Sequence, residues 1–114
     1  VGLNFTLIDG DGELDEYDQY PRKDFHITHN LGKMADELHI YKCLWRPEEN
    51  GFDMGGDIVP HLMAAMEQIT LFPEEYDKYD AINGWGTRSQ FKDWIHDLLM
   101  TCLEHPHWQI SASV

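Results

Sequence analysis

Cations are scarce in this sequence. Eight lysines and arginines stand against 21 aspartates and glutamates, for a formal net charge of −13. Duplex DNA and anionic membrane surfaces are held by clustered cations that displace counterions, so this composition speaks against both as direct partners. Cysteine is nearly absent as well, with Cys43 and Cys102 the only two. Cys102 falls on the apolar face of a helical pattern and Cys43 among the apolar residues of Ile40–Trp45, where a free thiol behaves as a small hydrophobe. The expectation is two reduced thiols in a cytoplasmic protein rather than a disulfide. Apolar runs are only a few residues long, too short for a transmembrane span. The amino end lacks the charged, apolar and small-residue order of a signal peptide. Missing too are the GxSxG elbow, the Walker loop, the dinucleotide glycine fingerprint and HExxH, so the common signatures of hydrolysis, nucleotide binding and zinc proteolysis find no match.

What is present suits one globular domain spanning residues 1–114. The chain is 42% apolar and 12% aromatic, enough for a single core without staples. Val1–Ile8 alternates around Leu3, Phe5 and Leu7 and predicts a strand. Asp9–Gly12 is a turn signal, 13–23 an irregular loop, and Asp24–Thr28 a second short strand. Leu31, Met34, Ala35 and Leu38 recur at helical spacing, with Thr28 or Asn30 as the cap. Tyr41–Trp45 forms a turn or short helix stopped by Pro47. After the loop Glu48–Gly56, a helix from Ile58 to Thr70 is predicted, with Asp57 as its cap and Pro60 in its first turn. Its buried stripe would be Ile58, Leu62, Ala65, Met66 and Ile69. Pro73–Tyr79 adds a short turn, and Asn83–Gly86 a tight loop. Thr87 and Gln90 match a capping box ahead of Phe91, Trp94, Ile95, Leu98, Leu99, Cys102 and Leu103, a helical apolar face closed by Pro106. Trp108, Ile110, Ala112 and Val114 alternate with polar residues as a last strand. The order β-β-α-α-α-β predicts an α+β fold, a small antiparallel or mixed sheet of about three strands with three helices on one face.

The acids are unevenly placed. Asp9, Asp11, Glu13, Asp15, Glu16 and Asp18 crowd one turn, and Glu74, Glu75, Asp77 and Asp80 form a second patch. An EF-hand register places Asp9, Asp11, Gly12, Glu13 and Asp15 suitably but puts Leu7 at the first ligand position and Asp18 at the twelfth. A hairpin turn with solvated acids is therefore preferred to a calcium site. Seven histidines include Cys102-x2-His105-x-His107, interrupted by Pro106 and lacking the paired CxxC spacing of structural zinc. No residue is singled out as catalytic or as a metal ligand, and no cofactor is implied.

One constellation remains: Thr28-His29-Asn30, Trp45-Arg46-Pro47-Glu48-Glu49 and Asn83-Gly84-Trp85-Gly86-Thr87, each at an element boundary. Trp85 between glycines suits stacking on a planar ring, and Arg46 suits a carboxylate or phosphate. Capping and turn chemistry, with Arg46 bridged to Glu48 or Glu49, accounts for the same residues without a ligand.

The strings HITHNLGKMA (His26–Ala35), YKCLWRPEE (Tyr41–Glu49), GDIVP (Gly56–Pro60) and NGWGT (Asn83–Thr87) resemble segments of a group of small proteins encoded in phage and bacterial genomes. The resemblance spans roughly residues 24–114 and leaves the acidic turn outside it. That group carries no assigned reaction, so the resemblance implies a setting, a phage-encoded protein in the host cytoplasm, and no mechanism.

The leading expectation is a non-enzymatic acidic binding protein that occupies a basic groove of a host protein, such as a defence or nucleic-acid-processing enzyme, through Asp9, Asp11, Glu13, Asp15, Glu16 and Asp18. The alternative is a binder of a small polar or nucleotide-like ligand at His29, Asn30, Arg46, Trp85 and Thr87, which requires the strand-to-helix junction and the glycine-tryptophan loop to meet in space. A small hydrolase without a recognisable motif is a third class. An unpaired edge on the last strand would suit a homodimer.

Overall fold

The computed structural model describes residues 2–79 and 86–114 of the chain. It has an α+β architecture in the order β1 (Gly2–Ile8), β2 (Arg22–Thr28), α1 (Gly32–Glu37), α2 (Tyr41–Trp45), α3 (Gly55–Leu71), α4 (Pro73–Asp77), α5 (Arg88–Glu104) and β3 (Gln109–Ser113). The three strands form one antiparallel sheet in the order β2-β1-β3. The first strand is thus the central one, paired on one side with its neighbour in sequence and on the other with the last residues of the chain.

Alternation sets the two faces of the sheet. Leu3, Phe5 and Leu7 of β1, with Phe25 and Ile27 of β2, point into the core and are buried. The opposite face is polar. The register places Asn4 between His26 and Ser113, and Thr6 between Asp24 and Ser111. On that face His26 Nδ1 donates to Asn4 Oδ1 at 2.6 Å, and the Thr6 hydroxyl and Arg22 Nη2 each donate to Asp24 Oδ1 at 2.8 Å. These two donors, Arg22 first, hold the Asp24 carboxyl below its ordinary range.

The helices supply the other half of the core. Ile58, Leu62, Ala65 and Ile69 of α3 and Phe91, Ile95, Leu98 and Cys102 of α5 are fully buried, together with Met34, Ile40 and Leu44 from the α1–α2 segment. Each large side chain removed from water in this way contributes about 1.5–3 kcal/mol. Gly55 opens α3 directly over Cys102 Sγ of α5, where a Cβ would lie at 3.2 Å. The start of α3 therefore meets the end of α5, and the two long helices run antiparallel. The opposite flank of α5 faces β2: Trp94 Nε1 donates to the His26 carbonyl at 3.1 Å, and Lys23 Nζ reaches the Thr101 hydroxyl at 3.3 Å.

Several sequence expectations shift by a turn. Helix α3 begins three residues before Ile58, so Asp57 is not the residue at its cap position. Its Oδ2 instead reaches back to accept from the amides of Asp53 and Met54, each at 3.0 Å. Pro60 is accordingly the sixth helical residue, beyond the first turn, and it deprives the Gly56 carbonyl of an amide partner. Strand β2 starts at Arg22, two residues before the predicted start. Tyr41–Trp45 and Pro73–Asp77 are single-turn helices. Leu103, assigned to the buried face by its spacing, is half exposed. The Thr87–Gln90 capping box is present as predicted, with Gln90 N donating to the Thr87 hydroxyl at 3.2 Å and Thr87 N to Gln90 Oε1 at 3.0 Å.

Candidate functional site

The acidic turn is a structured connection. Asp9 N bonds the Pro21 carbonyl at 2.8 Å and closes the β1–β2 ladder. Within the loop, Asp15 Oδ1 accepts from the amides of Tyr17 and Gln19 at 2.8 and 3.0 Å, and Asp18 adopts φ 57. Asp15 is therefore a turn-former, as short carboxylate side chains commonly are. Asp11, Glu13, Asp15, Glu16 and Asp18 are exposed, whereas Asp9 is half-buried. Across the gap, Gly10 approaches the Gln109 side chain, so the loop sits at the end of the sheet where β3 begins. Among the described residues, no three of His, Cys, Asp and Glu converge in an arrangement that holds a metal ion. His105 stacks on Trp108 with ring centroids 3.8 Å apart, and both thiols are sealed in the core. Burial pushes the Cys43 and Cys102 thiols up to about 12.

The polar and aromatic constellation divides into two places. At the β2–α1 junction the Thr28 hydroxyl accepts from Asn30 N at 3.3 Å and caps a single 3-10 turn, His29–Leu31, that leads into α1. His29 then meets Trp45, sixteen residues on, whose indole Nε1 donates to His29 Nδ1 at 3.1 Å. Trp45 is buried, and Tyr41 stacks on it one turn earlier, rings 5.0 Å apart and 8° from parallel. His29, Gly32, Lys33, Asp36, Tyr41 and Trp45 line an open groove of about 520 Å³. Arg46 lies beyond the indole in a separate groove of about 150 Å³, with Pro47, Glu48, Glu49, Ala112 and Val114. Its guanidinium Nε is 4.0 Å from Glu49 Oε2, a distant, exposed ion pair.

The junction also touches the segment ahead of α5. Gly86 adopts φ 88, and a Cβ there would stand 3.0 Å from Thr28 Cγ2 and 3.2 Å from Asn30 Cβ. Only glycine serves both the backbone and the space at that point. His29, Asn30 and Thr87 are therefore gathered at one corner of the molecule. Trp85 lies outside the described residues, as do Asn83 and Gly84. The Trp45–His29 bond and the Tyr41 stack were not legible in the sequence, since one joins distant segments and the other looked like core spacing.

Arg22–Asp24, Lys23–Asp97 and Arg88–Asp77, the last at 2.7 Å, are ion pairs at the surface. With Arg46–Glu49 they engage four of the eight cations. No helix among the described residues is long and apolar enough to cross a membrane. No family model, curated protein or solved structure matches the chain.

Proposed function

We propose that this chain is a non-enzymatic acidic binding protein whose partner presents a basic surface. The observation that supports this most directly is the −13 charge with half of the cations already engaged in surface pairs. What remains is a strong negative field, concentrated at the loop that carries Glu13, Asp15, Glu16 and Asp18. Such a field accelerates encounter with a cationic protein and repels nucleic acid and anionic lipid. We place that partner in a bacterial host, on the expectation drawn from the phage-like strings within residues 24–114. The test is to incubate the immobilised protein with bacterial lysate, identify each retained protein, and titrate it separately at low and high salt. Retained proteins with basic surfaces and affinities that fall steeply with salt support the reading. Affinity unchanged across that range overturns it.

A second reading is favoured by one contact, the packing of Gly86 against Thr28 and Asn30. It is a site for a small polar or nucleotide-like ligand at the corner shared by His29, Asn30 and Thr87, with Arg46 approaching only from the neighbouring groove. Native mass spectrometry of the untagged protein, before and after denaturation, tests it. A released small molecule supports this reading, and a clean mass for the polypeptide alone counts against it.

A further inference from the structure

Large apolar side chains of α3 and α5 are exposed along the flanks of the seam where the two helices meet. On α3, Gly55, Val59, Met63 and Met66 fall in one helical row, and Gly55 at its head packs on Cys102 of α5. This row therefore follows the flank of α3 that meets α5. On α5, the flank holding Trp94 and Thr101 faces β2, which leaves Leu99 and Leu103 on the flank toward α3. Val59 and Met66 are half-buried, Leu99 is nearly covered, and Met63 and Leu103 are 56% and 51% exposed, with Met100 beside them at 44%. The result is a stripe of flexible, methionine-rich side chains along α3 and the last turns of α5.

Charge says what covers it. Asp93 and Glu104 of α5 are exposed. The Gly55–Leu103 end of the seam abuts the acidic loop through a short chain of contacts. Gly56 N bonds the Pro106 carbonyl at 2.9 Å, Met54 bridges Gln109, and Gln109 touches Gly10. The basic side chains on that flank among the described residues, Arg88 and Lys92, lie toward the opposite end of α5, with Arg88 paired to Asp77.

We infer that the seam takes an amphipathic helix of a partner protein, apolar along one face and rich in lysine and arginine at the end that lies over the acidic loop. Methionine side chains adapt to varied apolar faces, and a helix laid in a groove uses the same i, i+3, i+4 spacing that the stripe presents. This rests on the basic-partner reading above and gives it a surface and a partner conformation.

The test uses two synthetic, fluorescently labelled peptides of identical leucine and lysine content, one spaced as an amphipathic helix and one scrambled. The full-length protein should bind the amphipathic peptide about tenfold or more tightly than the scrambled one at moderate salt. Met63→Gln with Leu103→Gln, both at exposed positions, should abolish that preference. Glu13→Gln with Glu16→Gln should weaken both peptides together. Equal, salt-sensitive affinity for the two peptides, or a preference untouched by the seam substitutions, overturns the seam while leaving a basic partner in place. Binding of neither peptide overturns both.

Discussion

The indole N–H of Trp45 ends on Nδ1 of His29 at 3.1 Å, which makes that ring nitrogen an acceptor and leaves Nε2 to carry the proton of the neutral imidazole. The bond ties the β2–α1 junction to α2 and satisfies a donor on a side chain that is only 6% exposed. Replacing His29 with alanine strands that donor, and the expected cost is about 1–3 kcal/mol, read as a lower urea midpoint at unchanged slope. Trp45→Phe should cost at least as much through lost packing, and the double substitution should cost less than the sum of the two.

Gly86 and Gly51 separate two kinds of glycine. Both have positive φ, 88 and 76, but Gly51 has open space around its missing Cβ and Gly86 has Thr28 and Asn30. Gly51→Ala should therefore cost about 1 kcal/mol, the backbone penalty alone. Gly86→Ala should cost clearly more, because the junction must move as well. Thermal melts of the two variants side by side check the difference.

Pro60 stands inside α3 rather than at its start. Pro60→Ala should stabilise the protein by up to about 3 kcal/mol, since alanine restores an amide for the Gly56 carbonyl and removes the ring clash. A melting temperature unchanged or lowered would show that the proline is accommodated without cost.

The Thr87 hydroxyl caps α5, so Thr87→Ala should cost about 1 kcal/mol and Thr87→Ser nearly nothing. If Thr87 also touches a ligand through its methyl group, serine will lower ligand affinity while leaving the melt intact.

Burial holds both thiols neutral in the fold, with their ionisation raised from 9.0 to about 12. Below the unfolded value both states are protonated and the thiols add no pH dependence. Above it the unfolded chain loses protons first, so stability falls between roughly pH 9 and 12. Burial raises the Tyr76 hydroxyl as well and acts in the same sense. Thiol labelling at neutral pH should be slow in buffer and fast in denaturant.

Local signals were the ones that could be read in advance. The capping box at Thr87 and Gln90, the alternation through Ile110 and Ala112, and the turn after Ile8 each depend on neighbours in sequence. Asp57 misled because a carboxylate at the third helical position caps as well as one in front of the helix, and Gly55-Gly56 looked like loop. Leu103 obeyed the helical period yet is half exposed, since period alone does not say whether a neighbour covers that flank. The site was legible only as three fragments. Their meeting at Thr28 and Gly86, and the exile of Arg46 to another groove, are tertiary facts.

The position of β1 between β2 and β3 has a consequence for synthesis on the ribosome. The hairpin of β1 and β2 can form early, but the second edge of β1 waits for residues 109–113, about a hundred positions later. Until those residues emerge, Asn4, Thr6 and Ile8 offer their unsatisfied amides and carbonyls to any extended chain nearby. The final strand then closes that edge, and Ile110 N is itself taken by the Asp53 carbonyl at 2.8 Å, which fastens the tail to the start of α3. Completion of the sheet is thus a late, long-range event, and chains cut short before Gln109 would be the ones that aggregate.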